Sequence, residues 1–441
     1  MMMGTMSYRL TTHFAGFMRP GRQIACVFAG AAILLLGGCQ LADMARFSYA
    51  NSTAAHHWAD EARTTTVRFE MLDDHIVVPV SVNRSKPLNF VVDSGAAATV
   101  ILESQDTKLL ALTLGAELPV SGVGAGPDPT AYIVADTAIA VGSVRLEGLS
   151  VIYLPVESVP FFDNVDEVYF DGVIGASFFE RFVVEIDYDQ QLISFSEPAP
   201  ERYRAVQGDS GWLELPLQIE SGLPYLTTEI SVYSGQPVTV KLLIDTGYRG
   251  PVSLTPDTHE GIAEPIEYFS MISQGLSGDV ATMVGMSRSL SVGGFKLNNI
   301  PVSYSIIGGE SDNDSNGLLG NEVLSHFNLM FDYANKRMFV SRNENFNEPV
   351  NADRSGLLLR PYTSGAVVKS VASGSAAEAS GLRVGDTVSS IDDQVVTRSN
   401  LGGLKRLLAS GRETVSLCWL SSGQEQCGKL ELASRFKQSE Q

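Results

Sequence analysis

The chain has 441 residues, of which 44% are hydrophobic and 18% are charged, and it contains 41 glycines. This composition excludes a disordered chain and a long helical repeat, and it is typical of a turn-rich β protein with two or three domains. The formal net charge is -19 at pH 7, so neither nucleic acid nor an anionic lipid surface is expected as an electrostatic partner.

Residues 1–38 are predicted to form a signal peptide. The segment is basic, has no acidic residue and ends in an uncharged run that is shorter than a comfortable membrane span. The sequence Leu36-Gly37-Gly38-Cys39 resembles the lipobox of bacterial lipoproteins, which implies cleavage before Cys39 and a lipid anchor on that residue. Because Gln40 rather than aspartate follows, the resemblance implies the periplasmic side of the bacterial outer membrane. The alternative is an ordinary signal peptide or anchor that happens to contain a cysteine.

The next segment, residues 39–66, is predicted to be a lipidated N-terminus and a tether, because it lacks apolar periodicity. From Val67 onward, short β-branched or alternating runs are separated by Gly, Pro, Asn and Asp. This pattern is typical of an all-β protein.

The sequence contains an internal duplication. The stretch FVVEIDYDQQLISF at 182–195 matches FNLMFDYANKRMFV at 327–340, and DGVIG at 171–175 matches NGLLG at 316–320, with the same offset of 145 residues. Self-similarity over such a distance indicates a repeated structural unit. The predicted folded units are a first lobe at 67–197, a second lobe at 212–345 and a third domain at 355–435.

Each predicted lobe has an apolar strand that runs into an aspartate. The stretches are FVVDSG, with Asp93, and LLIDTG, with Asp245. Burying a single ionised carboxylate is costly, so each aspartate is expected to be either a turn residue at the surface or a chemically unusual group. Further along, each lobe has two aliphatic residues followed by a glycine, VIG at 173–175 and LLG at 318–320.

This order of motifs resembles the aspartic peptidases of the pepsin and retroviral type, and the resemblance covers both lobes. It implies a mainly β fold of two acid-protease β-barrel lobes related by a pseudo-twofold axis. It also implies that Asp93 and Asp245 are the catalytic dyad, complete within one chain. The residues implied to support the dyad are Ser94, Gly95, Gly175, Thr246, Gly247 and Gly320.

Two neighbouring carboxylates can hydrolyse a peptide bond without a metal or an organic cofactor, and we expect neither. Because both cannot ionise easily, they share one proton, so one is an acid and the other a base toward water. The expected function is an aspartic endopeptidase acting on a peptide or protein. Tyr248 stands where the family usually has a small residue, so a catalytically inactive peptide-binding or scaffold protein of the periplasm is the alternative. A hydrolase of a non-protein amide is a third.

Two glycine-containing loops are candidates for flaps that cover the dyad and exclude water. One is SGVGAG at 121–126 in the first lobe, and the other is QGLSG at 274–278 in the second. The alternative for the first loop is a mobile hairpin without a catalytic role. The candidate flap residues are Gly122, Val123, Gly124, Gly275 and Leu276.

Residues 355–435 resemble a PDZ domain of the kind found in bacterial periplasmic proteases, through the stretch GAVVKSVASGSAAEASGLRVGDTVSSIDDQVV. PDZ domains bind the C-terminus of a peptide as an added strand beside a carboxylate-binding loop. The matching positions are Gly356, Leu357, Leu358 and Leu359, although many members have a second glycine where Leu358 stands. The resemblance also implies that a helix around residues 401–410 lines the other side of the peptide groove. The alternative is a domain that only packs on the two lobes.

Two cysteines near the C-terminus are a disulfide candidate. In CWLSSGQEQC, a two-residue turn at Ser422-Gly423 would place Cys418 opposite Cys427 in a non-hydrogen-bonded pair of a hairpin. That spacing suits a disulfide, which the periplasm permits. Two free thiols on neighbouring strands are the alternative.

Overall fold

The computed structural model describes residues 41–438 except 161, 163–166, 201–202, 204–205, 207–210, 233–235, 257 and 308–314. The predicted signal peptide and Cys39 lie outside the described residues. Residues 41–49 belong to a different compact unit from the described residues that begin at Ala50. In the first unit, residues 41–49 are helical, and all elements named below belong to the second. No helix in the described part of the chain is long and apolar enough to cross a membrane.

The strands fall into three consecutive groups. The first group is β1 (Ala55–Trp58), β2 (Thr64–Arg68), β3 (Glu70–Leu72), β4 (His75–Val82), β5 (Leu88–Val92), β6 (Val100–Leu102), β7 (Glu117–Pro119), β8 (Thr130–Val141), β9 (Val144–Leu154), β10 (Gly172–Ile174), β11 (Val183–Asp187) and β12 (Leu192–Ser196), with helix α1 (Ala176–Phe179). The second is β13 (Trp212–Pro216), β14 (Gln218–Glu220), β15 (Leu223–Val232), β16 (Val238–Asp245), β17 (Val252–Leu254), β18 (Glu267–Gly275), β19 (Gly278–Val292), β20 (Phe295–Asn298), β21 (Pro301–Ile307), β22 (Gly317–Gly320), β23 (Phe327–Asp332) and β24 (Arg337–Arg342), with helix α2 (Asn321–Leu324). The third is β25 (Leu357–Tyr362), β26 (Gly365–Val371), β27 (Thr387–Ile391), β28 (Gln394–Val395), β29 (Thr414–Ser421), β30 (Gln424–Glu431) and β31 (Lys437–Gln438), with helices α3 (Ala376–Ala379) and α4 (Leu401–Ala409).

Each lobe is built on a sheet that closes on itself. The strand order in the first lobe is β1-β9-β6-β10-β5-β4-β8-β7, and β8 also pairs with β9. The order in the second is β14-β15-β16-β22-β17-β21-β19-β18-β31, and β15 also pairs with β19. The ends of β5 and β16 lie deep in these sheets with every residue of 90–92 and 242–244 buried. Burial on both faces explains why these stretches are continuous apolar runs rather than alternating ones.

A central sheet joins the lobes and displays their duplication. Its order is β13-β24-β23-β11-β12-β2, so each lobe contributes its terminal hairpin. At the junction β11 pairs antiparallel with β23, and Glu185 lies opposite Met330. These two residues are equivalents at the offset of 145, so the pseudo-twofold axis passes through this pair.

The prediction that residues 39–66 form a tether is wrong in part, because some of these residues form strands. Residues 55–58 form β1 on the edge of β9, and β2 pairs with β12 in the central sheet. Trp58 packs edge-on against Phe182 and donates from Nε1 to Glu197 Oε1 at 3.0 Å. These short strands could not be predicted from apolar periodicity, because main-chain pairing at a sheet edge does not require a periodic pattern of apolar side chains.

The third domain has its own core and matches the predicted PDZ arrangement. Its sheet order is β25-β26-β27-β29-β30, which leaves β25 at an edge, and helices α3 and α4 pack on the core through Ala377 and Leu404. Cys418 and Cys427 lie directly opposite in the β29–β30 pair and form a disulfide. The mainly β fold with two duplicated lobes and a C-terminal PDZ-type domain is therefore confirmed.

Beyond the PDZ domain, the last described residues return to the second lobe. Strand β31 pairs with the start of β18, and the Phe436 ring packs against Phe269. Arg435 joins Asp353 at 2.8 Å and also donates to the carbonyl oxygen of Ser270 at 3.3 Å. The C-terminal segment thus connects the PDZ domain to the strand that leads into the second candidate flap.

Candidate active site

The two motif aspartates occupy equivalent strand ends. Asp93 follows β5 and Asp245 ends β16. Strand β5 runs parallel to β10, with Val92 beside Ile174, and β16 runs parallel to β22, with Asp245 beside Gly320. Each strand that carries the aliphatic pair therefore supports the strand that carries the aspartate.

Four buried hydrogen bonds lock the two aspartate loops together. The Ser94 amide donates to Thr246 Oγ1 at 3.0 Å, and the Thr246 amide donates to Ser94 Oγ at 3.1 Å. The Ser94 hydroxyl donates to the Ile244 carbonyl oxygen at 2.7 Å, and the Thr246 hydroxyl donates to that of Val92 at 2.8 Å. Both side chains are fully enclosed. Each of these two hydroxyls thus accepts one hydrogen bond from the opposite lobe and donates one to it. These bonds fix the spacing of the two aspartates.

The glycine after each motif lets the opposite carboxylate approach the backbone. A β-carbon placed on Gly95 would lie 2.6 Å from Asp245 Cγ, and one on Gly247 would lie closer still to Asp93 Cγ. Real β-carbons essentially never come within 3.0 Å of another atom. The two carboxylates lie close enough to influence each other's titration, and both aspartates remain half-buried rather than sealed from solvent.

The environment favours one shared proton on the carboxylate pair. Burial raises the pKa of Asp93 well above its usual value, and the charge of Asp245 raises it further. Burial likewise raises the pKa of Asp245, while amide donors from Tyr248 and Gly247 oppose this. The titrations are coupled, so they describe the pair rather than either residue. The pair can therefore hold an acid and a base side by side.

The predicted supporting glycines lie under the two loops. A β-carbon on Gly175 would lie 2.5 Å from the carbonyl oxygen of Ala98, and one on Gly320 would overlap the Tyr248 ring and the Gly250 carbonyl oxygen. Only a glycine lets these loops rest directly on the strand below them. The aliphatic-aliphatic-glycine pattern is thus a packing requirement of the site.

Tyr248 packs on the second lobe rather than only beside the aspartates. Its ring lies against the apolar cluster of Tyr225, Leu243 and Leu318. Burial raises the pKa of its hydroxyl to about 12. Its main-chain amide donates to Asp245 Oδ1 at 2.8 Å. The hydrogen bond from Tyr248 to the carboxylate pair therefore comes from a main-chain amide, which any residue except proline could provide.

The two candidate flaps meet each other. The second is the turn of the β18–β19 hairpin, with Gly275 opposite Gly278, whereas residues 121–126 form a loop without strand pairing of its own. The Ser277 amide donates to the Val123 carbonyl oxygen at 2.9 Å, and the Gly126 amide donates to that of Ser277 at 2.6 Å. These main-chain bonds join the flap candidates of the two lobes into one bridge.

Asp128 is a residue of this bridge that sequence reasoning missed. It accepts from the Ser121 hydroxyl at 2.9 Å and from the Ser277 hydroxyl at 3.0 Å. An aspartate between two prolines has the signature of an ordinary turn. Its role in joining two loops about 150 residues apart has no local signal.

We expect Gly124→Ala to separate the two flap candidates. Gly124 has φ +148, and a β-carbon there would overlap the carbonyl carbon of Ser277. Exchange of the Ser277 amide hydrogen should become at least about tenfold faster as its bond to Val123 is lost. Gly148→Ala is the matched control, because Gly148 has φ +76 but open space around it. Equal exchange of Ser277 in both variants would contradict the bridge.

The predicted peptide-binding positions of the PDZ domain lie where β25 begins. Leu359 is buried, while Leu357 and Leu358 are half-buried. The Gly356 amide donates to Asp353 Oδ2 at 2.7 Å, and the Leu357 amide donates to Ser355 Oγ at 3.1 Å. A peptide carboxylate that used these amides would have to displace the two side chains.

Three further residues that sequence reasoning missed lie beside the Asp245 loop. His75 Nε2 donates to the Gly247 carbonyl oxygen at 3.1 Å, and Arg249 forms an ion pair with the fully buried Asp73. In the part of the chain that the structure describes, no group of three or more His, Cys, Asp or Glu side chains could hold a metal ion.

Comparisons with known proteins found two matching family models and similar solved structures. A family model described as aspartyl protease matches residues 78–178 and 229–323, and each range contains one motif aspartate with its supporting glycine. A PDZ domain model matches residues 367–419. The crystal structure of an aspartic proteinase from Irpex lacteus matches 65% of this chain and 100% of that chain, with 13% sequence identity and a TM-score of 0.38. No curated protein matches the chain.

Proposed function

We propose that the chain, parts of which match models of an aspartyl protease and of a PDZ domain, is an aspartic endopeptidase. Asp93 and Asp245 are its catalytic residues. One observation carries the proposal: two half-buried carboxylates from duplicated lobes each lie against the opposite aspartate loop, and these loops are locked together by Ser94 and Thr246.

During the reaction the carboxylate pair both accepts and donates protons. The ionised carboxylate takes a proton from a bound water molecule as the water oxygen attacks the carbonyl carbon, and the protonated carboxylate donates to the carbonyl oxygen. The resulting diol then breaks its carbon–nitrogen bond. One hydroxyl proton returns to the pair as the pair protonates the leaving nitrogen. The pair thus begins and ends each turnover with one proton.

Neighbouring groups support this role of the pair. The amides of Gly95, Gly247 and Tyr248 each donate to a motif carboxylate, and such donors hold the carboxyl groups in a fixed orientation before the substrate arrives. The bridge between the flap candidates is the element that closes over an extended peptide and limits access of bulk water.

The test is cleavage of a peptide library by the protein from residue 40 onward, between pH 3 and pH 8, with products identified by mass spectrometry. We expect internal peptide bonds to be cut by the wild type and not by Asp93→Asn. If the wild type cuts no peptide across this range, the enzyme proposal fails and the non-enzymatic peptide-binding alternative replaces it.

For the PDZ domain we propose binding of a C-terminal peptide at the edge strand β25, for recruitment of a substrate or partner. The support is the position of β25 at the sheet edge, which is what strand addition requires.

We also propose that the protein is a lipid-anchored periplasmic protein of the outer membrane, held through Cys39. The disulfide between Cys418 and Cys427 supports an oxidising compartment. We expect Cys39→Ser to abolish incorporation of a labelled fatty acid and to remove the protein from the washed outer-membrane fraction. Cys26→Ser is the control, because Cys26 lies inside the predicted signal peptide. Retention of the Cys39→Ser protein with its label would contradict the anchor.

A further inference from the structure

A buried ion cluster joins the PDZ domain to the first lobe, and we name it the Asp73 cluster: Asp73, Arg249, Arg360 and Lys405. The Asp73 side chain is fully buried. Its Oδ1 pairs with Lys405 Nζ, and its Oδ2 pairs with Arg249 and lies 3.9 Å from Arg360 Nη1. Burial alone would raise the pKa of Asp73, but the charges of the three cations outweigh it and lower the pKa to about 2. Asp73 is therefore ionised over the whole physiological pH range.

The two PDZ cations come from the two elements that border the proposed peptide groove. Arg360 is on β25, the edge strand, and Lys405 is on α4. A single carboxylate of the first lobe thus contacts both sides of the groove. The neighbouring pair of Arg406 and Asp74 extends the same contact at the surface, where the Arg406 side chain is 73% exposed.

The Asp73 cluster also reaches the loop of Asp245 by two short routes. Arg249 lies four residues after Asp245 in the chain. His75, two residues after Asp73, donates to the Gly247 carbonyl oxygen, and the Gly247 amide donates to Asp245 Oδ1 at 2.8 Å. The Tyr169 hydroxyl lies 3.1 Å from the other ring nitrogen of His75, Nδ1.

The duplication shows that these charges are not needed to build the turn. The turn between β14 and β15 is equivalent to the turn at Asp73, and it consists of Ser221 and Gly222. Gly222 lies against Ala176 of the first lobe, just as the Asp74 carbonyl oxygen accepts from Asn321 Nδ2 at 2.7 Å. Ala176 and Asn321 are equivalents at the offset of 145. The carboxylate occurs only in the copy of the turn that the PDZ domain covers.

We propose that Lys405 and Arg360 of the PDZ domain are positioning residues for the proposed peptidase, acting through Asp73 on Arg249 and on the loop that carries Asp245. The PDZ domain is then part of the scaffold of the active site and not only a recruiting module. This inference rests on the proposed function for its kinetic consequence, but the structural coupling can be measured without it.

The experiment compares Lys405→Met with Arg406→Met in the full mature chain. Both variants remove one cation from α4, but only Lys405 contacts Asp73. For Lys405→Met we expect kcat to fall by between about tenfold and a hundredfold with KM changed less than about twofold, because a carboxylate misplaced slightly still allows substrate binding. Arg406→Met should match the wild type, and Lys405→Arg should restore most of the lost kcat.

Hydrogen exchange provides the readout that does not depend on activity. In Lys405→Met, the Gly247 and Tyr248 amides should exchange faster, while the Gly95 amide of the first lobe, which donates to Asp93 at 2.7 Å, should not. Uniformly faster exchange at all three amides would indicate general destabilisation and overturn the inference, as would identical behaviour of the Lys405 and Arg406 variants. If the wild type cleaves no peptide, the proposed function fails and the exchange comparison alone decides the coupling.

Discussion

Asp93→Asn and Asp245→Asn are each expected to lower kcat for peptide cleavage at least about a thousandfold, since each removes a group that must both accept and donate a proton. Asparagine keeps the size of the side chain and an oxygen for the Gly95 or Gly247 amide, so the loops should stay in place. The double variant should be hardly slower than either single variant, because the two carboxylates act as one unit.

Initial rates on a peptide cut by the wild type provide the measurement, and calorimetric binding of a non-cleavable analogue shows whether the cleft persists. Asp187→Asn is the control, because Asp187 ends β11 beside the hairpin turn and accepts a hydrogen bond from the Gln190 amide. Full activity of either motif variant would show that the pair within one chain is not the catalytic unit.

Asp93→Asn is expected to stabilise the fold at pH 7 while abolishing activity. Burial and the charge of Asp245 raise the pKa of Asp93 in the folded state. The unfolded chain ionises near 3.8, so the wild type loses stability as the pH rises from there through the folded-state pKa. Each pKa unit corresponds to about 1.4 kcal/mol in the free energy of unfolding. Asparagine does not ionise, so the variant escapes this loss.

The measurement is the melting temperature of both proteins at pH 3 and at pH 7. The stabilisation by Asp93→Asn should be present at pH 7 and largely absent at pH 3, where the wild-type carboxyl is protonated in both states. Asp73→Asn should instead lower the melting temperature at pH 7, and should lower it less at pH 3. The pKa of Asp73 is lowered to about 2, so its ionised form stabilises the fold above pH 3.8 and this stability is lost as the pH falls through about 2. Destabilisation by Asp93→Asn at pH 7 would contradict a strained carboxylate pair.

The inferred role of the Asp73 cluster gives the PDZ domain a structural reason to be fused to the lobes. Both sides of its proposed groove hold a cation against one buried carboxylate, and its C-terminal segment adds a strand beside the second flap candidate. The PDZ domain is therefore connected to the Asp245 loop through the Asp73 cluster and to the strand of the second flap candidate through β31.

Much of the fold could be predicted because it leaves local signals in the chain. The runs FVV and LLI are apolar because they are buried on both faces, and the aspartate that ends each run marks a site. The two lobes could be predicted from the internal duplication, because equivalent packing environments select similar residues at positions such as Gly175 and Gly320. The SSG turn likewise placed Cys418 opposite Cys427, because a two-residue turn sets the register of a hairpin.

Other features arise only where distant segments meet. β1 adds to an edge that β9 offers, Asp128 bridges two loops, and Lys405 meets Asp73 across 332 residues of chain. A lysine on an amphipathic helix and an aspartate in a turn are ordinary surface residues when their sequences are considered separately. Their roles differ in the folded protein, because a buried carboxylate must be matched by nearby positive charge. Packing between domains decides which segments bury the carboxylate, and no sequence pattern within one domain reveals it.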